Sequence, residues 1–227
     1  MLLSCRRPKE RVALQIRLEP HQDLLAHAFI ARWRSPIGQL PPLVRAAELL
    51  STELGRSGLL PPPDAAVRAA IRDMLRSQAF KPTGRSKPSS EYLARASGER
   101  ALRAINPAVD AGNAVSVHSG IPISVLDCDA LSEPLQVRPG QPGERYVFNP
   151  AGQVIELSGL LCLCDAVGPC ANAIKDAQRT KTSDSTRTTL SILWSSRRLA
   201  GHSAAALELY RSLLQDAAEI EPVLFGA

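Results

Sequence analysis

Aromatic residues are scarce in this sequence: Phe, Trp and Tyr together make up 4% of its 227 positions. Proteins that read single-stranded nucleic acid by stacking present a row of exposed rings, and so few rings leave no platform of that kind. Long apolar runs are missing as well, since no window approaches the roughly 18 apolar residues of a membrane-spanning helix. The opening MLLSCRRPKE places Arg6, Arg7 and Lys9 just behind two leucines. That excludes the apolar centre of a secretory leader, and a cytoplasmic address without membrane association is expected. Five cysteines, an odd number with no framework spacing, fit a reducing compartment rather than a disulfide scaffold.

Familiar chemical motifs are also absent. PTGRSKPS lacks the spacing of a phosphate-binding loop, and no GxGxxG follows a strand, which excludes nucleotide binding of those two kinds. There is no CxxC pair. Cys162 and Cys164 alternate within an apolar run, as small buried strand residues do, so a zinc site completed by Cys170, Cys128 or His118 is disfavoured. Neither a metal nor a cofactor is expected. The four histidines stand in separate segments, and Cys170 has no signature joining it to a base. A hydrolase built on Cys170 is therefore the weakest of the enzyme readings.

What is present describes a globular protein, with 44% hydrophobic and 22% charged residues. The net charge of +5 favours an anionic partner without requiring one. In RVALQIRLEP the alternation of Val12, Leu14, Ile16 and Leu18 predicts a half-buried strand. The spacing of Leu24, Leu25, Phe29 and Trp33 predicts a helix over His21 to Trp33, and a second helix is expected over Pro42 to Leu54. Asp64 is placed to cap a third, whose apolar face holds Val67, Ile71, Met74 and Leu75. A loop carrying Lys81, Arg85 and Lys87 leads to a helix capped near Ser89 or Ser90.

From Ile123 to Trp194 the pattern changes to short strands, ISVL, LQVR, RYVFN, QVIEL, LLCLC and TTLSILW, separated by the turns PGQPGE and NPAGQ. They predict a central mixed sheet flanked by helices, a mixed α/β fold. A closing helix after Gly201 puts Ala206, Tyr210, Leu213, Leu214 and Ala217 on one face. Residues 1–88 are expected to pack, as a strand and helices, on the same body as an α/β core of residues 89–227. Asp127 and Asp129 are expected to bound a short helix start, and Glu144, behind a turn glycine, to be exposed. The polar segment NAIKDAQRTKTSDSTRTT, lying between two strands, carries hydroxyls and cations suited to a phosphate, ribose or carboxylate.

The order INPAVDAGNAVSVHSGIPISVLDCDAL, then LQVRPGQPGERYVFN, then VIELSGLLCLC resembles the tRNA-editing domain (B3/B4) of the bacterial phenylalanyl-tRNA synthetase beta chain. The shared elements fall on Asn113, on Gly120 and Pro122, on Asp127 and Asp129, on Arg138 with Gly143 and Glu144, and on the run from Val154 to Cys164. The resemblance implies a free-standing copy of that domain, which binds aminoacyl-tRNA and hydrolyses a mischarged ester in trans with water as nucleophile. Ser124 stands where the family has a pocket histidine, Gly112 replaces a threonine, and TTLSILW lacks the glutamate that reads a tyrosine hydroxyl. The resemblance thus implies a relined pocket in which Asn113 and Ser124 would orient water or the carbonyl, and Lys175, Asp176, Thr180 and Lys181 would hold the substrate. The alternative is a non-catalytic module that binds tRNA or an amino acid. In either case a monomer or weak homodimer is expected.

Overall fold

Strand residues of opposite parity in this chain belong to different hydrophobic cores, and that division organises the structure. The computed structural model describes residues 13–53, 57–77, 79–99 and 102–226. The chain runs β1 (Gln15–Leu18), β2 (Leu24–Trp33), α1 (Val44–Ser51), α2 (Ala65–Leu75), α3 (Ser89–Glu99), α4 (Pro107–Ser119), β3 (Ile123–Asp127) and β4 (Leu135–Pro139). It continues with β5 (Arg145–Val147), β6 (Val154–Glu156), β7 (Leu161–Asp165), β8 (Gly168–Asn172), β9 (Thr188–Ser196), α5 (Ala200–Leu214), β10 (Ala218–Pro222) and β11 (Leu224–Gly226).

The fold is mixed α/β, as expected, with its strands divided between two main sheets. One has the order β11-β1-β4-β7-β8, parallel from β11 to β4 and antiparallel beyond. The other, β10-β2-β9-β3, is antiparallel throughout. β5 and β6 form a separate ribbon. In β2, Ala28 and Ile30 join the core shared with the five-stranded sheet and α2, while Phe29, Ala31 and Trp33 join the core under α1, α4 and α5. β9 behaves alike: Leu190, Ile192 and Trp194 face the first core and Leu193 the second. The four-stranded sheet is the partition between the cores.

That partition overturns the helix expected over His21 to Trp33. A strand covered on both faces is apolar at consecutive positions, so Leu25, Phe29 and Trp33 fell at helical spacing by coincidence. Hydrogen bonding to β9 and β10 on both sides settles the segment as a strand. Other local signals are realised in part: the closing helix ends at Leu214, so Ala217 lies beyond it, and Val12 of the expected first strand and Leu54 of the expected second helix lie outside the described residues. Asp64 caps α2, its Oδ1 accepting from the Val67 amide at 2.9 Å. The expected second helix is shorter, Val44–Ser51. In the closing helix Tyr210 is fully buried, edge-on to Phe29 with ring centroids 4.9 Å apart, and its hydroxyl lies 3.0 Å from Ser191 Oγ. Among the described residues no helix is long and apolar enough to cross a membrane.

The passage from α4 to β3 positions the site. Asn106 caps α4 through its side chain, accepting from the Val109 amide at 3.0 Å, and Pro107 follows at the first turn, where a missing N–H is harmless. Gly120 ends the helix in the left-handed region at φ 72°, which glycine adopts without strain. Pro122 then directs the chain into β3. Gly112 lets α4 lie close on this strand, for a Cβ there would stand 2.9 Å from Val125 Cγ2 and 3.0 Å from the Tyr210 hydroxyl.

Candidate functional site

β3 and β8 are the outer strands of their respective sheets, and a cavity of about 410 Å³ opens where they meet α3, α4 and the segment after β8. Its apolar wall comes from Leu93 of α3, Val109 of α4, Ile123 and Val125 of β3, and Ile174. The polar wall holds Asn113, Asn172, Lys175, Asp176 and Lys181. Among the residues singled out from the sequence, Asn113, Lys175, Asp176 and Lys181 therefore share one cavity. Ser124 and Thr180 stand behind its wall, 1% and 0% exposed.

Asn113 is partly exposed on the cavity, and its side chain makes no hydrogen bond to another described residue. Ser124 is a buried hub: its hydroxyl donates to Asp176 Oδ1 at 2.7 Å and accepts from the Trp194 indole at 3.0 Å. With both roles taken, Ser124 has no proton left to orient a water. Thr180 is committed likewise, donating to the Cys170 carbonyl at 3.0 Å.

The segment from Asn172 to Thr189 is more ordered than a long polar loop suggests. Asn172, which the sequence did not mark as a site residue, organises its start. The side-chain carbonyl accepts from the amides of Ile174 and Lys175 at 2.8 and 3.0 Å, and the side-chain amide donates to the Tyr146 hydroxyl. Tyr146 in turn donates to the Lys175 carbonyl at 2.5 Å. Further on, Arg179 forks onto Asp165 with contacts of 2.7 and 2.9 Å. Lys181 pairs with Leu126 in an isolated antiparallel bridge. No single-residue signal marks Tyr146 or Asn172, because their roles arise from the meeting of the β5–β6 ribbon with the end of β8.

The electrostatics are uneven across the cavity. Both lysines are drawn to Phe148: Lys175 Nζ lies 3.9 Å from its ring centroid, and Lys181 Nζ donates to its carbonyl at 2.6 Å. Asp176 is anchored on Ser124 and on the Asn172 amide at 3.2 Å. Part of the Asp176 residue surface reaches the cavity, yet burial dominates the environment of its carboxyl group. Burial pushes the carboxyl up to about 6, against the downward pull of the Ser124 and Asn172 hydrogen bonds and of the Lys181 charge. Desolvation lowers Lys181 in the same way, partly offset by Asp176.

Other expected features take structural roles. Asp127 Oδ1 caps a 3-10 turn at Cys128–Ala130 by accepting from the Asp129 amide at 3.0 Å, and Oδ2 accepts from the Thr186 hydroxyl at 2.5 Å. Asp129 itself is exposed. Glu144, expected to be free in solvent, instead takes a bidentate fork from Arg138 at 2.7 and 2.8 Å, with the two side chains 24% and 17% exposed. Cys170 is fully buried and its thiol, donating to the Leu163 carbonyl at 3.4 Å, is pushed far up by burial. That rules out the thiol nucleophile, since a buried thiol offers neither access nor thiolate. His118 is buried against the Leu49 carbonyl at 2.8 Å. Among the described residues, no three His, Cys, Asp or Glu side chains gather closely enough to hold a metal ion.

Comparison with known proteins bears on this arrangement. A phenylalanine–tRNA ligase beta subunit from Mannheimia succiniciproducens is 28% identical over 164 residues, covering 70% of this chain and 20% of the relative. The chain thus spans about a fifth of that relative's length. An N-terminal fragment of the phenylalanyl-tRNA synthetase beta-subunit from Pyrococcus horikoshii aligns with a TM-score of 0.47 and 11% identity, over 96% of this chain and 55% of that one. The family model of the B3/4 domain matches residues 78–213, a span that includes every wall of the cavity. With more than half of its length matched, the chain belongs to the B3/4 domain family.

Proposed function

We propose that the protein binds the aminoacylated end of a tRNA and hydrolyses a mischarged aminoacyl ester in trans. The observation that carries this reading is the cavity itself: apolar along α3, α4 and β3, polar at Asn113, Lys175, Asp176 and Lys181, and set within a B3/4 domain. An aminoacyl ester has the same division, with an apolar side chain on one side of a polar acyl centre that is joined to a polyanion. The named relative is a subunit of a tRNA ligase, which supports tRNA as the partner.

Water is the nucleophile in this reading, because Cys170 is buried and the Ser124 hydroxyl is spent on Asp176 and Trp194. The uncommitted amide of Asn113 would donate to the ester carbonyl as negative charge develops there, the role a preorganised donor plays in acyl transfer. Lys175 also borders a second groove of about 520 Å³, lined in addition by Arg85, Phe148 and Glu156. Arg85 and Lys175 would hold phosphates leading away from the ester.

A second reading, a binding module without turnover, is favoured by the same engagement of Ser124, whose hydroxyl is not free to activate water. The test is to incubate sub-stoichiometric protein with a panel of correctly and incorrectly charged tRNAs and follow ester loss. Multiple turnover on one mischarged species, abolished by Asn113→Ala, supports the deacylase. No loss above background, with salt-sensitive tRNA binding intact, selects the binding module.

A further inference from the structure

We propose that Asp176 is the receptor for the free α-ammonium group of the bound aminoacyl moiety, so that the site accepts apolar amino acids with an unblocked amine and rejects N-acylated ones. The inference rests on the reading that the cavity holds an aminoacyl group, and it gives Asp176, so far one of several residues that would hold the substrate, a defined ligand group.

Among the described residues, Asp176 has no counter-cation within ion-pair distance. Asp176 Oδ1 is held by the Ser124 hydroxyl and the Asn172 amide, whereas Oδ2 meets no hydrogen-bond donor among the described residues. The cations nearest in the chain are engaged elsewhere: Lys175 on the Phe148 ring, Lys181 on the Phe148 carbonyl, and Arg179 on Asp165. Lys181 acts on Asp176 only at longer range, without an ion pair.

A buried carboxylate without a counter-charge is unfavourable for folding, and here it stands on the wall of a cavity whose apolar side includes Val109, Val125 and Ile174. A ligand that brings its own cation next to an apolar group completes this arrangement. The α-carbon of an amino acid carries an ammonium, an apolar side chain and an acyl carbon together. With the ammonium on Asp176 and the side chain on the apolar wall, the acyl carbon is left toward Asn113. Hydrogen bonds between two ionised groups are the strong kind. An N-acyl group would remove the positive charge and add bulk at the carboxylate.

The alternative use of Asp176, as a general base for the attacking water, gives no discrimination between free and acylated amines, so one experiment separates the two. Calorimetric titration of the full chain at neutral pH would use the amides of L-valine, L-leucine, L-isoleucine, L-methionine and L-phenylalanine, each beside its N-acetyl form. The expected result is that at least one free amide binds roughly tenfold or more tightly than its N-acetyl form. Asp176→Asn, with a melting curve showing it folded, should lose that preference.

Equal binding of both forms, retention of the preference in Asp176→Asn, or no binding of any amide at millimolar concentration would overturn the proposal. The wild-type comparison stands even if the variant fails to fold. Because these titrations need neither tRNA nor turnover, amine-selective binding without hydrolysis of charged tRNA keeps the ammonium receptor and removes the deacylase. Hydrolysis of charged tRNA at equal rates with free and N-acetylated amines does the reverse.

Discussion

Replacing Asp176 by asparagine should make the protein more stable at neutral pH, even as it weakens the site. The carboxyl is displaced from 3.8 to about 6, chiefly by burial. At about 1.36 kcal/mol per pH unit, this corresponds to about 3 kcal/mol of opposition to folding once the group is ionised in both states. The sign follows from the direction of the displacement. A group whose pKa is raised in the folded state favours folding while protonated, and that advantage is lost as the pH rises through its folded value. Asparagine preserves an acceptor for Ser124 and the Asn172 amide but carries no charge, so it escapes the penalty while giving up two charge-assisted hydrogen bonds.

The net gain expected for the variant at pH 7.5 is about 1–2 kcal/mol. Other titrating groups change stability in both proteins alike, so the decisive quantity is the gap between variant and wild type. That gap should narrow by about 1.4 kcal/mol between pH 7.5 and pH 5, as Asp176 takes up its proton in the folded wild type. Urea denaturation of both proteins at the two pH values measures it. A variant that is less stable by the same amount at both pH values would refute the claim that an ionised, uncompensated carboxylate sits in the cavity.

Four further outcomes follow from the geometry. Asn113→Ala removes an amide that bonds to no other described residue, so stability should change by no more than about 0.5 kcal/mol while ester hydrolysis or ligand affinity falls sharply, read by urea melts beside the ester assay. Gly140→Ala should be among the most damaging single changes, above about 3 kcal/mol or unfolded, because the added Cβ would stand 2.1 Å from the Leu157 carbonyl oxygen. Glu144→Gln breaks the fork with Arg138, whose hydrogen bond holds the Glu144 carboxyl below its ordinary value. The loss should be about 1–2 kcal/mol at neutral pH and should vanish as the pH falls through the carboxylate range, which a pH series of chemical melts would reveal. Arg85→Ala should lower the slope of log tRNA affinity against log salt by about one phosphate contact, measured by filter binding, and leave amino-acid amide binding unchanged.

Local chemistry made much of this protein legible before folding. The Asp64 cap, the G-x-P turn at Gly120, the turn glycines and the alternation of Ile16 with polar neighbours act within a few residues, and they appear in the structure where the sequence puts them. Asn113, Lys175, Asp176 and Lys181 are grouped through the family resemblance rather than through any local signal, and the structure sets all four on one cavity. What the sequence could not reveal was parity across two cores. Nothing within His21 to Trp33 says that both faces are covered, so a strand buried twice imitates a helix. The Ser124–Asp176 contact spans 52 positions, and whether that hydroxyl faces a ligand or a carboxylate depends on which sheet edges meet. Caps, turns and strand period are properties of adjacent residues and belong to the sequence. The isolation of a carboxylate in a cavity, with its nearest lysines turned toward Phe148, exists only once β3, β8 and α4 have come together.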